Sequence, residues 1–403
     1  MSKDNKKFCL SFTFAGGYVA SFGPFLVAYF TSLGYTSKES AMFLLLYNVG
    51  IIFSFPIIGF LNDNFITMKK SLLILITLSI AVTMIYISTS KTQVILAIYL
   101  ICISIFQRPI LGLLETYTTK ISQRYDDVEF GTPRSFASLS YALVTLVMGS
   151  AIANYGNHLM FIVQMGFLAL LFVSVIFLKN YPLLKDDKEH IEEKEVSSVE
   201  QNTFKKAVYD LSRNRNYILL VITAAFLTMS SVCFSTYLSI LLEELGGGTK
   251  ELGISLFIMA IFEIPAMVAF KKIGNRFDLN NILIFSCSVT ALKMIIPVIF
   301  PSLFSVYLAQ VLQSLSYALF VPGIYLAIYK SVKPQNSSFA MSIAITIYSS
   351  ICSTLAVYFA GLVLDTIGIF MLLILLSISA IIALVVMVIK KVLNIKDLKN
   401  GRA

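Results

Sequence analysis

Charged residues are scarce in this sequence. Asp, Glu, Lys and Arg together make up 13% of its 403 residues, whereas apolar residues make up 57%, including 32 Phe and 20 Tyr. A soluble domain of this length needs a much larger charged fraction to keep its surface hydrated. The composition therefore excludes an ordinary soluble protein and predicts a chain that resides in a lipid bilayer.

The residues from which catalytic and metal sites are built are also few. The sequence contains two histidines, His158 and His190, and no recognisable catalytic triad or phosphate-binding glycine loop. Its five cysteines lack the paired spacing of a metal or redox site; they are Cys9, Cys102, Cys233, Cys287 and Cys352. We therefore expect neither an enzyme activity nor a bound metal or cofactor.

Long apolar runs fill most of the chain. A helix needs about 20 residues to cross about 30 Å of hydrocarbon, and we identify twelve runs of this kind. Helices are expected because a lipid-exposed backbone must satisfy its own hydrogen bonds, and the runs lack the alternation of a membrane barrel. The predicted spans are 8–32, 39–61, 71–90, 93–118, 133–154, 158–178, 216–242, 250–271, 279–300, 302–329, 337–362 and 366–389.

One long polar stretch, residues 179–215, separates the first six spans from the last six. We interpret it as a cytoplasmic linker with a short surface helix near 203–212, with a regulatory docking site as the alternative. The predicted fold is an all-α membrane protein with twelve transmembrane helices in two six-helix bundles. The predicted domains are an N-terminal bundle (1–178), the linker, and a C-terminal bundle with a cytoplasmic tail (216–403).

The distribution of basic residues predicts the orientation in the membrane. Lys and Arg concentrate in alternate loops, in the linker and in the tail after Lys390, and cytoplasmic loops retain such residues. Both termini are therefore expected in the cytoplasm, with the chain crossing the cell membrane many times. Because this asymmetry accounts for the net charge of +9, we expect no nucleic-acid partner.

The stretch GFLNDNFITMKK, residues 59–70, lies between the second and third predicted spans. It resembles the loop signature of the major facilitator superfamily, in which a glycine and an acid precede basic residues. On this resemblance, Gly59 allows close helix approach and Asp63 caps or pairs with a helix end. Lys69 and Lys70 anchor the next helix at the inner surface. Two six-helix halves are also the architecture of that superfamily.

A few ionisable residues remain at membrane depth. They are Arg108, Glu115, Arg134, Glu263 and Lys293. Burying a charge in hydrocarbon costs at least about 2.5–3.5 kcal/mol on insertion scales. Each such residue is therefore expected to serve a function and to have a polar or charged partner. Arg108 and Glu115 are two helical turns apart on one face, beside Pro109, which is expected to bend the helix. They form either a cavity wall facing a polar solute or an internal ion pair that locks packing.

The motif EFGTPRSFASLSYA, residues 129–142, closely resembles the start of the fifth helix in the lactose permease-like family of oligosaccharide/proton symporters. In that family the arginine of this motif and a glutamate near the end of the fourth helix hold sugar hydroxyls. The resemblance implies that Arg134 and Glu115 grip the sugar and that Tyr141, two turns further on, stacks on its ring. A guanidinium and a carboxylate together supply the donors and acceptors that hydroxyl groups need. The alternative is that Arg134 merely snorkels at the inner interface.

The second half contains one acid and one base at membrane depth, Glu263 and Lys293, and we expect them to pair between helices. The resemblance supports this, since related symporters carry an acid in the eighth helix, which links sugar binding to protonation, and a base in the ninth. The tenth predicted span lacks the histidine and the acid of lactose permease-like transporters. It presents Gln313 and Tyr317 as polar contacts for a hydroxylated solute, with packing as the alternative. Proton coupling therefore depends on Glu115 or Glu263.

These features predict a monomeric secondary active transporter that moves a sugar or oligosaccharide across the cytoplasmic membrane by alternating access. The predicted driving force is the proton gradient, with sugar and proton moving together. The alternatives are a carrier of nucleosides or other small polar metabolites, a facilitator without proton coupling, and a membrane protein that senses a sugar without transporting it.

Overall fold

The computed structural model describes residues 3–89, 92–122, 125, 128, 131–179, 209, 211–332 and 337–399. These residues form helices, turns and short connections, and none of them belongs to a β-strand. The predicted all-α fold is confirmed. Most of the segment 203–212, for which a short linker helix is predicted, lies outside the described residues.

The helices follow the order of the predicted spans. The first eight are α1 (Lys3–Phe22), α2 (Leu26–Ser32), α3 (Ser37–Asn64), α4 (Met68–Ser88), α5 (Gln93–Phe106), α6 (Pro109–Ser122), α7 (Gly131–Tyr155) and α8 (Leu159–Ile176). The rest are α9 (Arg215–Thr236), α10 (Leu238–Glu244), α11 (Thr249–Arg276), α12 (Leu279–Ile299), α13 (Leu303–Gln313), α14 (Tyr317–Ser331), α15 (Ser337–Ile345), α16 (Ser353–Ile367) and α17 (Ile369–Lys399).

Eleven segments of the described chain are long and apolar enough to cross a membrane. They correspond to every predicted span except the eighth, which is the 28-residue helix α11. Several side chains of α11 lie outside the described part of the chain. The helices form because hydrocarbon offers the backbone no hydrogen-bond partners except its own.

Polar side chains define several helix starts. Thr36 Oγ1 accepts a hydrogen bond from Glu39 N at 3.2 Å, and the Glu39 carboxylate accepts one from Thr36 N at 2.9 Å. This capping box satisfies two N–H groups that the start of α3 would otherwise leave without partners. Thr67 and Thr92 cap α4 and α5 through one hydrogen bond each. Short polar sequences between apolar runs therefore fix where the helices begin.

The contacts within the chain divide it into two compact units. The first unit comprises residues 1–192 and 248–260, so it includes the start of α11, a helix predicted for the C-terminal bundle. Its core lies between α1, α4, α6, α7 and α8, where buried apolar side chains pack together. This core holds the helices that carry the first-half candidate residues in fixed relative positions.

Glycines allow close helix contacts within the first unit. Gly16 of α1 lies against the carbonyl oxygen of Ala137 in α7. Gly149 of α7 and Gly253 of α11 also touch, since a Cβ on Gly253 would lie 2.8 Å from Gly149 Cα. A side chain at any of these glycines would collide with backbone, so the small residues let the helices approach closely.

The second unit comprises residues 193–247 and 261–403. Its core is built from side chains of α9, α12, α14, α15 and α17. Buried tyrosines satisfy their hydroxyl groups there: Tyr217 Oη donates to the carbonyl oxygen of Ala340 at 2.8 Å. This pairing removes the cost of an unsatisfied hydroxyl within an apolar core.

Several spans are interrupted at membrane depth. A 3₁₀ turn, Gly23–Phe25, joins α1 to α2, and a π-helix, Thr346–Cys352, joins α15 to α16. The fourth span breaks just before Pro109, which begins α6 because its missing N–H is tolerated at a helix start. The tenth span breaks between Gln313 and Tyr317. Such interruptions free backbone groups and often occur at functional positions.

Lys69 of the 59–70 motif fastens the start of α4 to the end of α8. Its Nζ donates hydrogen bonds to the carbonyl oxygens of Ile176 and Leu178, at 2.9 and 2.6 Å. A cation is favourable there because the last carbonyls of a helix are its negative end. Lys70, the next residue, is exposed.

The glycine and the acid of the same motif are placed differently. A Cβ built on Gly59 would meet no described atom within 4 Å, so the described chain shows no close helix approach at that position. Asp63 belongs to α3, and its side chain lies outside the described part of the structure. The role of Asp63 stays a prediction.

Candidate functional site

An ion pair joins α6 to α7 in the first unit. Arg134 Nε lies 2.6 Å from Glu115 Oε1, and Arg134 Nη1 donates a hydrogen bond to Ser138 Oγ at 3.2 Å. Ser138 follows Arg134 by one helical turn, which places both on the same face of α7. The side chains of Arg134 and Glu115 retain 42% and 31% of their exposure. The surrounding protein therefore does not fully bury this ion pair.

Arg108 stands at the interruption between α5 and α6. Its Nη2 donates to Asn48 Oδ1 at 2.9 Å, and its guanidinium carbon lies 4.8 Å from the centre of the Tyr47 ring. Asn48 is held in turn because its Nδ2 donates to the carbonyl oxygen of Leu44 at 2.7 Å. The amide and the ring orient the guanidinium plane. Most of its five N–H donors keep no partner among the described residues.

Tyr18 of α1 lies near both of these groups. It is 3% exposed and within electrostatic range of Tyr47, Arg108 and Glu115. Arg108 and Glu115 therefore border one region of the first unit, although they do not pair with each other. Glu115 pairs with Arg134, and Arg108 is bonded to Asn48.

We call these side chains the first-unit polar cluster: Tyr18, Tyr47, Asn48, Arg108, Glu115, Arg134 and Ser138. The cluster contains two guanidinium groups with planar sets of N–H donors, a carboxylate acceptor and aromatic rings. This combination matches a solute whose hydroxyl groups each donate and accept. Tyr141 is half-buried two turns after Arg134, on the same face of α7. Among the described residues, no group of three or more His, Cys, Asp or Glu could hold a metal ion.

A second polar group lies in the second unit around Lys293 of α12. Lys293 has no exposed surface; its Nζ donates to Gln313 Oε1 at 2.5 Å and lies 4.3 Å from the centre of the Phe234 ring. Phe234 belongs to α9 and Gln313 is the last residue of α13, so the ammonium joins three helices. Amide and ring contacts partly replace the water that a buried ammonium loses.

Glu263 and Tyr317 belong to the same neighbourhood. Glu263 is within electrostatic range of Lys293 and of Tyr317. The hydrogen bond of Lys293, however, goes to Gln313 rather than to a carboxylate. Gln310, one turn before Gln313, is fully buried, and neither of its amide atoms has a hydrogen-bond partner among the described residues. The second unit therefore also contains a polar interior at membrane depth.

Sequence reasoning missed Tyr47, Asn48 and Phe234. Asn48 carried a usable signal, because an asparagine within the apolar run LLLYNVG is penalised by hydrocarbon just as a charge is, although less strongly. Tyr47 and Phe234 carried none, since the sequence has 20 Tyr and 32 Phe. Which aromatic ring meets a cation is decided by tertiary packing.

Known proteins of similar sequence are transporters. The profile of the MFS_1 like family matches residues 5–371. The chain is 24% identical over 371 residues to the uncharacterized transporter YwbF of Bacillus subtilis (strain 168), covering 90% of this chain and 87% of that protein. It is 26% identical over 156 residues to the maltose permease of Geobacillus stearothermophilus, covering 39% of each chain.

Solved structures of similar fold are also transporters. A variant of the nucleoside transporter NupG superimposes with a TM-score of 0.82 at 13% identity, covering 96% of this chain and 100% of that chain. An inward-facing bacterial homolog of the human lysosomal transporter Spinster gives a TM-score of 0.72 at 12% identity, covering 98% and 97%. At these identities the likeness establishes the fold alone.

Proposed function

Because the chain belongs to the MFS_1-like family, whose matched relatives are membrane transporters rather than enzymes, we propose that it carries a small polyhydroxylated solute, a sugar or oligosaccharide. It acts as a monomer in the cell membrane with both termini in the cytoplasm. The solute crosses by alternating access, in which the binding region opens to one side of the membrane at a time.

The observation that carries this proposal is the Glu115–Arg134 ion pair with its bonded Ser138. Both residues belong to segments that are long and apolar enough to cross a membrane, yet 31% and 42% of the two side chains are exposed. Contact with hydrocarbon would cost about 2.5–3.5 kcal/mol for each charge. A water-filled binding region avoids that cost, and a hydroxylated solute can replace the water because each hydroxyl donates and accepts.

Arg108 provides a second point of attachment in this proposal. Asn48 and Tyr47 hold its guanidinium, so little side-chain freedom is lost when a solute binds. Tyr141 supplies a ring face on the same side of α7 as Arg134. Two guanidinium groups, one carboxylate and an aromatic face form a site for a hydroxylated ring.

A nucleoside is the second candidate solute. NupG, whose fold is similar, is a nucleoside transporter, and a nucleoside presents ribose hydroxyls to donors and a planar base to aromatic side chains. The local match to a maltose permease, over 39% of the chain, favours a sugar, because it is a likeness of sequence, whereas the NupG match at 13% identity establishes the fold alone.

We assign proton coupling to Glu263 and Lys293. Glu263 is within electrostatic range of the buried ammonium, so gain or loss of a proton at Glu263 changes the field at Lys293. Lys293 donates a hydrogen bond to Gln313, and Glu263 is within electrostatic range of Tyr317, so both members of the pair lie next to polar side chains of the second unit. A proton gradient can then drive the solute, because the protonation state biases which conformation is populated.

Uptake by the purified protein in liposomes tests the proposal. Labelled mono- and disaccharides and nucleosides are offered with and without an inward proton gradient. We expect one sugar to accumulate only with the gradient. Uptake of nucleosides alone would select the second candidate, and equal uptake without the gradient would remove proton coupling. No flux of any offered solute by correctly inserted protein would contradict the proposal.

A further inference from the structure

A separate cavity of about 610 Å³ lies within the second unit. Its polar walls come from Asn216, Asn280, Ser331 and Lys390, which stand at or near the ends of their membrane spans. The cavity therefore lies at the level where lipid headgroups meet hydrocarbon. None of its lining residues belongs to the first-unit polar cluster or to the group around Lys293.

A buried lysine is the main charge of this cavity. Lys390 is 5% exposed, and its Nζ donates a hydrogen bond to Asn280 Oδ1 at 2.8 Å. An ammonium has three N–H donors, so this neutral amide satisfies one of them. Lys330 adds a second positive charge from an exposed position, and Asp278 adds one negative charge. The balance of these three charges favours an anion.

The same cavity contains a buried acceptor without a donor. Asn216 Oδ1 has no hydrogen-bond partner among the described residues. A buried carbonyl oxygen of this kind requires a donor such as a hydroxyl. Phe270 and Leu326 give another part of the wall an apolar surface. A matching ligand therefore combines an anionic group, free hydroxyls and an apolar portion.

We propose that this cavity binds a phosphate ester that carries free hydroxyl groups. Lys390 and Lys330 hold the phosphate, and Asn216 and Asp278 accept hydrogen bonds from the hydroxyls. The headgroup of phosphatidylglycerol has this chemistry, and so does soluble glycerol phosphate. The position at the ends of the spans and the apolar wall at Phe270 favour the lipid.

Lipid binding to the full chain tests this inference. The protein is placed in phosphatidylcholine nanodiscs, and native mass spectrometry measures retention as phosphatidylglycerol is added. Lys390→Gln and Lys330→Gln are each expected to weaken retention about tenfold or more, because each removes a charge-assisted hydrogen bond. Lys391→Gln is the matched control, since Lys391 Nζ bonds Asn281 Oδ1 at 2.5 Å outside the cavity lining. A parallel arm offers glycerol phosphate in place of the lipid.

Each result decides the inference. Loss of phosphatidylglycerol in the Lys390 and Lys330 variants, but not in the Lys391 control, supports the lipid. The same pattern with glycerol phosphate supports a soluble ligand. If all three variants and the unmodified protein retain both probes equally well, the inference is overturned. Lys330→Gln keeps the test decisive if Lys390→Gln does not fold, because Lys330 is exposed.

Discussion

Neutralising Glu115 is expected to affect transport far more than stability. An exposed ion pair contributes about 0–1 kcal/mol to stability, and the Glu115 and Arg134 side chains are 31% and 42% exposed. A hydrogen bond between a charged group and a bound solute contributes about 1.5–3 kcal/mol, which corresponds to roughly 10- to 150-fold. Glu115→Gln should therefore lower kcat/KM for uptake by at least about tenfold, while Tm shifts by no more than about 2–4 °C.

Substituting Arg134, the partner of Glu115, turns this prediction into a double-mutant cycle. Arg134→Gln should have the same effect, and the double variant should lose about as much as the worse single variant, because both groups act on one solute. Uptake in liposomes and thermal unfolding in detergent provide the two readouts. Lys7→Gln is the matched control, since it breaks an ion pair with Asp4 whose side chains are 42% and 22% exposed. Both readouts should stay unchanged in that control.

Two outcomes would exclude the ion pair from solute binding. Uptake by the single variants within about twofold of the unmodified protein would remove the pair from solute binding. A loss of stability in proportion to the loss of transport would identify the pair as a lock between α6 and α7. In either case the solute would have to bind elsewhere.

Three other substitutions test the Arg108 contact, the buried Lys293 and one close helix contact. Asn48→Ala releases Arg108, so we expect KM for uptake to rise about tenfold with correct membrane insertion; an unchanged KM would exclude Asn48 from positioning the guanidinium. Lys293→Met should abolish gradient-driven accumulation of the solute. It should preserve or raise Tm, because removing a buried charge relieves several kcal/mol of desolvation, whereas leaving the Gln313 amide unpaired costs only about 1–3 kcal/mol. A large fall in Tm would show that the charge supports the fold. Gly253→Val places a Cβ 2.6 Å from a carbonyl oxygen of α7 and should stop uptake. Gly166→Val is the control, because a Cβ there meets nothing within 4 Å, and it should leave uptake intact. Equal uptake by both variants would show that the α7–α11 contact is dispensable.

The helices and the charged candidates are predictable from sequence for the same physical reason. Hydrocarbon satisfies no backbone hydrogen bond and no charge, so long apolar runs become helices and the few charges within them mark polar regions. Lys69 bonds carbonyl oxygens at the end of a neighbouring helix, while its role as an anchor at the inner surface stays a prediction. These inferences need only composition, spacing and the properties of the bilayer.

The partners of those charges are not predictable in this way. Arg108 is bonded to Asn48, sixty residues earlier in the chain, and Lys293 to Gln313, twenty residues later. Such pairs depend on how helices pack, which helical periodicity alone does not specify. The helix breaks show the same limit, since Pro322 lies inside α14 without ending it.

Solvent access at Ser138 is the sharpest test of a hydrated solute site in the first unit. Ser138 is bonded to Arg134, in the region proposed to be filled with water and to bind a hydroxylated solute. Ser138→Cys in liposomes should react quickly with a hydrophilic maleimide, and the transported sugar should slow the reaction, while the fully buried Cys287 stays unlabelled as an internal control. No labelling at position 138, or labelling that no solute slows, would contradict a hydrated solute site beside Arg134.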